Sequence, residues 1–245
     1  MSETAQASDI PALNKAHDRR LLQQVFARYG RIHIPAILTN ESAVRVHQCL
    51  VQETPYSLVA NSGDKVFDIP REGLDKLSAE EKRGLIDSAG VGAQRGFQFI
   101  YENFRLTDKG EPYPDQAHYH AKIVAFLNSQ EFLSFARAVT GETKIAFADA
   151  QATRYGPGNF LTTHDDAVAG KNRVAAYVLN MTPEWRADWG GNLLFLNKDG
   201  HISEGYVPTF NALNFLRVPQ AHCVSHVAPF AGAYRYSVTG WLRTR

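Results

Sequence analysis

From Lys144 onward the sequence predicts a mainly β fold, a double-sheet jelly roll, braced by the helices that precede it. Three observations predict it. Short strand-like runs recur at regular spacing after Lys144, the pattern of a sandwich or barrel. The run KIAFADAQATRY alternates, with Ala146, Ala148, Ala150 and Ala152 on one face and Phe147, Asp149, Gln151, Thr153 and Tyr155 on the other. Small residues let a helix lie close against the first face, while the second is too polar for a plain core and suits a cavity wall. The first half of the chain carries helical periodicity and helix punctuation instead.

Taken in order, Asp18–Tyr29 has apolar residues at helical spacing and ends at Gly30, a C-cap. RIHIPAIL follows as a short strand, and Asn40–Gln52 as a second amphipathic helix. Tyr56–Pro70 reads as a hairpin turning at Asn61-Ser62-Gly63-Asp64. Ser78 and Glu81 form a capping box that opens a helix. Gln94–Leu106 is extended, and Phe97–Glu111 mixes aromatics with charges in a way that suits either a brace for the sheet or a flap over the barrel mouth. Asp115–Asn128 and Gln130–Thr140 are helices, the second stopped by Gly141. Strands then fall at Phe160–His164, Arg173–Asn180, Asn192–Leu196, Thr209–Val218, Cys223–Ala228 and Tyr234–Leu242. The expected organisation is a polar, frayed tail over residues 1–16 and one domain over 17–245, with helical support at 17–143 and the jelly-roll core at 144–245.

Composition narrows the partners. The 245 residues are 44% hydrophobic and 21% charged, ordinary for a globular protein. A net charge of +1 gives no general attraction to nucleic acid or an anionic membrane, so neither is expected as a partner. No apolar run reaches the ~20 residues of a membrane span, and the N-terminus lacks the apolar core of a signal peptide. Two cysteines, Cys49 and Cys223, without a CxxC, point to free thiols in a reducing cytoplasm.

Two stretches concentrate the chemistry. Tyr155–Leu196 contains His164 and Asp166, and Ala221–Trp241 contains His222, His226 and Arg235. Residues i and i+2 of a strand face one way, so His164 and Asp166 can reach one ion. Two imidazoles and a carboxylate make the facial triad of non-haem Fe(II) sites, and a third ligand must come from a distant strand; His226 and His222 are both available. Asp165 would face away from His164, toward solvent. Arg235 and Ser237 point together into the sheet, where an unpaired charge is costly; a planar guanidinium there fits a carboxylate. His118 and His120 fall on a predicted helix, where positions i and i+2 diverge, so they are expected to be solvated or partner-facing. Tyr101, Tyr113 and Tyr119 are expected in the core, with the lining of a peptide groove as the alternative, and Trp185, Trp189 and Trp241 in the core or its rim.

His164-x-Asp166, the YVLN…W…GGNLLF run and His226-x-Val-x-Pro…Arg235-x-Ser together resemble the Fe(II)/2-oxoglutarate-dependent dioxygenases, in their prolyl-4-hydroxylase-like branch, over roughly residues 144–245. The resemblance implies a double-stranded β-helix with iron on His164, Asp166 and His226; the spacing of His226 to Arg235 favours it over His222. It implies Arg235 on the distal carboxylate of 2-oxoglutarate, with Ser237, Tyr155 and, more weakly, Tyr177 assisting. The cofactors implied are Fe(II), 2-oxoglutarate and dioxygen, with ascorbate as a reductant. A carboxylate at Asp166 favours hydroxylation over halogenation. The expected reaction is hydroxylation of a peptidyl proline with release of succinate and CO2. The alternatives are a free amino acid or small metabolite as substrate, or a jelly-roll binding or sensor module without turnover. The absence of a G-x-S-x-G elbow, a P-loop and an H-E-x-x-H motif argues against hydrolases of those types.

Overall fold

The start of each helix is written in its capping residue. Asp18 accepts from the backbone N–H of Arg20 and Leu21 to open α1 (Arg19–Tyr29), and Gly30, at φ 69°, closes it in the left-handed region that favours glycine. Thr39 caps α2 (Asn40–Gln48), which runs into a π-helical turn at Cys49–Glu53. The capping box of Ser78 and Glu81 opens α4 (Ala79–Ala93), after the short α3 (Arg71–Lys76). His118 caps α5 (Tyr119–Leu127), and Ser129 and Gly141 bound α6 (Gln130–Thr140). These elements come from a computed structural model that describes residues 10–245.

Thirteen strands complete the described residues. The first four are β1 (Arg31–Pro35), β2 (Ser57–Ser62), β3 (Lys65–Ile69) and β4 (Phe99–Thr107). The jelly roll adds β5 (Phe147–Ala148), β6 (Ala150–Tyr155), β7 (Phe160–His164), β8 (Arg173–Asn180) and β9 (Leu193–Leu196). It ends with β10 (Ile202–Tyr206), β11 (Ala212–Arg217), β12 (His222–Val224) and β13 (Arg235–Arg243). One face of the roll has the order β1-β11-β8-β13-β6, and the other β7-β12-β9-β10. The interlocking of consecutive strands between two antiparallel layers is the expected double-stranded β-helix.

β4 joins the two layers. It pairs with β6 from Glu102↔Arg154 to Thr107↔Ala150, and with β7 through Phe99↔Leu161 and Ile100↔Phe160. The aromatic segment expected as either a brace or a flap is therefore a brace, its main chain built into the sheet. The opposite side is tied by side chains: Arg31 Nε on β1 lies 2.5 Å from Glu204 Oε2 on β10.

The alternation read from KIAFADAQATRY holds. Ala148, Ala150 and Ala152 are fully buried in the main core beneath the helices, with Phe126, Phe132 and Phe215. A smaller cluster of Ala176, Val178, Leu193, Phe195 and Leu216 fills the inside of the roll. Each buried Phe or Leu contributes roughly 1.5–3 kcal/mol, so the apolar stripe rather than helix propensity holds the front half to the sheet.

Three expectations need correction. Of the tail expected at 1–16, residues 1–9 lie outside the described residues, but residues 12–14 are part of the fold: Leu13 is buried and bridges Leu38, and Asn14 N–H donates to Ile37 O at 2.8 Å. A strand at Ile202–Tyr206 was not expected, because its exposed Ile202 and internal Gly205 break the alternation. The strand expected at Cys223–Ala228 is shorter and earlier, His222–Val224. That shift decides the site.

Candidate metal and 2-oxoglutarate site

β7 and β12 run antiparallel with His164 opposite His222. Their rings stand 4.2 Å apart between centroids. β7 ends at His164, and the chain turns so that Asp166 adopts φ 67°, a left-handed conformation that Asp tolerates better than most residues. The turn points the carboxylate back at both rings: His164 Nε2 lies 3.5 Å from Asp166 Oδ1, and His222 Nε2 3.4 Å from Asp166 Oδ2. Arg173 Nη1 donates to Asp166 O at 3.0 Å and so fastens the turn.

The tautomers follow from the partners. His164 Nδ1 meets Thr162 O at 2.9 Å, and His222 Nδ1 meets Gln220 O at 2.7 Å. A carbonyl oxygen only accepts, so each Nδ1 carries the proton and each Nε2 offers its lone pair to the shared space. Three donors of the 2-His-1-carboxylate type converge, their ligand atoms within 4.8 Å of one another.

The electrostatics suit a cation. Burial would raise Asp166, but its contact with His164 and the charge of His222 hold it below its usual value. Burial would lower His164, yet the Asp166 carboxylate raises it overall. His222 is lowered by burial and by its neighbour His164.

His226 does not join this group. It lies beyond β12, exposed, its ring stacked on Phe160 at 5.9 Å. Of the expected ligands, the structure brings His164 and Asp166 together, joins them with His222, and leaves His226 apart. Spacing to Arg235 pointed to His226, but strand pairing decides which histidine sits across from His164. The sequence carries no local signal for this, because β12 is only three residues long and its register is set by pairing with β7. Asp165 is exposed, as expected, and its carboxylate caps Ala167 N–H.

Arg235 opens β13, opposite Tyr155 of β6. It is 2% exposed, and its Nε and Nη1 have no hydrogen-bond partner. Its guanidinium carbon lies 5.1 Å from the centre of the Tyr155 ring, which stacks on Tyr101 at 4.9 Å. His164, Asp166, His222, Arg235 and Tyr155 all line one cavity of about 100 Å³ of water-accessible space. Gln151 and Thr153 line it too, as the polar face of β6 predicts. Tyr101 and Trp241, expected in the core or its rim, also face this cavity.

Two expected helpers are placed differently. The Tyr177 hydroxyl donates to Asp149 O at 2.8 Å, which spends its proton on the backbone. Ser237 is fully buried with its hydroxyl 2.8 Å from that of Thr153; Thr153, not Ser237, reaches the cavity wall.

The family model of the 2OG-Fe(II) oxygenase superfamily matches residues 150–243. The match covers these residues alone, less than half of the chain. The chain is also similar to prolyl 3-hydroxylase OGFOD1 of Xenopus laevis, 31% identical over 130 residues, covering 50% of this chain and 25% of the relative. The mouse counterpart is 28% identical over 130 residues and is matched over 23% of its length. The chain thus spans about a quarter of the length of these curated relatives. Among solved structures, a Pseudomonas putida prolyl-4-hydroxylase aligns with a TM-score of 0.59 at 16% identity, covering 93% of this chain and 100% of that one. A Trichoplax adhaerens prolyl hydroxylase in complex with a hypoxia inducible factor peptide fragment aligns with a TM-score of 0.62 at 15% identity, covering 92% and 89%. At these identities the likeness establishes the fold alone, a double-stranded β-helix.

Proposed function

We propose that the protein is an Fe(II)- and 2-oxoglutarate-dependent dioxygenase that hydroxylates a prolyl residue of a protein or peptide. The observation that carries the reading is the pairing, within one cavity, of the triad His164, Asp166 and His222 with a buried arginine whose Nε and Nη1 have no partner. The donor set fits ferrous iron, and the orphaned guanidinium fits the distal carboxylate of a dicarboxylic acid.

In this reading His164 and His222 bind through Nε2, their orientation fixed by the carbonyls of Thr162 and Gln220. Asp166 would supply the anionic ligand. Bound ferrous iron supplies the chemistry of the class: 2-oxoglutarate and dioxygen yield succinate and CO2, and one oxygen atom enters a substrate C–H bond. Arg235 anchors the far carboxylate through Nε and Nη1, and Tyr155 walls the same end. Tyr101 and Trp241 exclude water from the reacting face. Ascorbate would serve as a reductant that keeps the iron ferrous.

Proline as the target is supported by what the relatives are named for, and its fixed φ pre-extends a peptide at little entropic cost. Phe97, half exposed with its ring 5.7 Å from that of His164, stands where such a chain would pass. We further read residues 17–245 as one catalytic unit working in a reducing cytoplasm, a reading supported by two free cysteines. No helix among the described residues is long and apolar enough to cross a membrane. The test is incubation with host lysate, Fe(II), 2-oxoglutarate and ascorbate, followed by mass spectrometry of proteins that gain one oxygen. Succinate formation coupled to a small metabolite, with no proline oxidised, would replace the peptidyl reading by the metabolite one.

A further inference from the structure

The helix-facing side of the sheet holds a second group of ligating side chains, away from the oxygenase cavity. Sequence spacing sets His118 and His120 apart, because i and i+2 diverge on a helix. The structure removes that objection. His118 is the N-cap of α5, with φ −74° and ψ 145°, and its Nδ1 accepts from His120 N–H. One residue extended and the next helical, the two rings face each other at 4.1 Å. Cys49 meets them from the first position of the π-helical turn Cys49–Glu53, a rare conformation that recurs at functional sites. One ligand atom from each of Cys49, His118 and His120 lies within 4.8 Å of the others.

The protonation of His120 follows from its partners. The Thr54 hydroxyl donates to Cys49 O at 3.0 Å, so toward His120 Nε2, also at 3.0 Å, it accepts. Nε2 therefore carries the proton, and the lone pair is on Nδ1. His120 is 0% exposed and its Nδ1 has no partner. A buried acceptor left without a partner is costly. Burial pushes the imidazole's pKa down to about 4. Tyr113 and Phe104 enclose the ring, each at 5.2 Å. His118 is the accessible edge, its side chain 28% exposed, and Glu53 Oε2 stands 4.0 Å from its Nε2.

We propose that Cys49, His118 and His120 form a second metal site, for a divalent cation of the zinc class. One thiolate and two imidazoles suit zinc better than magnesium, calcium or manganese. A tetrahedral S/N set needs donors roughly 3.5 Å apart, so side-chain adjustment of about 1 Å, in which His118 Nδ1 exchanges the His120 N–H for the cation, closes the group. Burial pushes the Cys49 thiol up to about 12, and a bound cation reverses that by displacing the proton. The ion would tie the end of α2 to the start of α5, a structural role independent of the oxygenase chemistry.

The test is titration of the metal-free full chain with Co(II) alone. The oxygenase triad contains no thiolate, so a thiolate-to-cobalt charge-transfer band in the near ultraviolet reports the second site. The band is expected to saturate at one equivalent of that site, to be displaced by Zn(II), and to survive in Cys223→Ala and His222→Ala. In Cys49→Ala and in the partly exposed His118→Ala, cobalt affinity at that site should fall by roughly a hundredfold or more. No band in the wild-type chain, a band lost in Cys223→Ala, or a band kept in Cys49→Ala each overturns the proposal. Should Cys49→Ala fail to fold, His118→Ala and Cys223→Ala still decide it.

Discussion

Replacing Arg235 by leucine separates a structural arginine from a binding one. In the metal-loaded protein without 2-oxoglutarate, Arg235 is a buried cation, and burial depresses its pKa. Its Nε and Nη1 are unpaired, and the Tyr155 ring is its main compensation. An isosteric apolar side chain in such a place is neutral or stabilising, by about 1–3 kcal/mol. Binding of 2-oxoglutarate reverses the sign. Two charge-assisted hydrogen bonds at roughly 1.5–3 kcal/mol each amount to about 3–6 kcal/mol, a factor of ~10² to 10⁴ in Kd. The assay is anaerobic thermal unfolding with and without 2-oxoglutarate. At a ligand concentration a hundredfold above Kd the wild type gains about 2.7 kcal/mol. For a chain of this size that is about 5–11 °C. Arg235→Leu should unfold at the wild-type temperature or above without ligand, and show no shift at the same concentration. A variant that keeps the wild-type shift would mean another group holds the carboxylate. One that melts several degrees lower without ligand would mean Arg235 is a brace.

Bound iron should be lost on desalting in His222→Ala and retained in His226→Ala; retention in the first would return the assignment to His226. Asp149 is raised by burial from its usual value to about 6. A raised acid stabilises the fold below its unfolded pKa and loses that contribution as pH rises through about 6. Asp149→Asn should therefore gain on the order of 1–3 kcal/mol relative to wild type at pH 7–8 and little at pH 4, and equal stability differences at both pH values would contradict this. A Cβ at Gly240 would sit 2.0 Å from Asp149 O, so Gly240→Ala should lower Tm by about 3–10 °C; a silent substitution would show that β13 and the Asp149 bend can separate freely.

Local rules carried most of the fold. Asp18, Ser78, Gly30 and Gly141 marked helix ends because capping is decided within four residues. The alanine stripe of β6 declared both of its faces, since alternation needs no knowledge of the partner strand. What escaped was decided by pairing across the chain. β12 is three residues long, too short to carry its own frame, and only its register against β7 shows that His222 rather than His226 faces His164. Arg235 was legible as a charge in need of a partner. Tyr177 and Ser237 were not, because Asp149 O and the Thr153 hydroxyl that occupy them come from β6 and its approach. The rings of His118 and His120 converge where helical spacing would part them, because His118 is the extended N-cap and the helix starts one residue later.

The strand β4 has a bearing on how far this protein can be trimmed. The stretch recognisable as an oxygenase starts at residue 150, yet the main chain that closes β6 against β7 lies some fifty residues upstream. A fragment cut at Lys144 would leave two bare edges, with rows of unsatisfied N–H and C=O groups inviting a second copy of itself. It would also strip the cover from the alanine stripe. Modularity on paper and modularity in the test tube differ here: anyone grafting this catalytic centre onto another scaffold must carry the Phe99–Thr107 segment with it or supply a strand in its place.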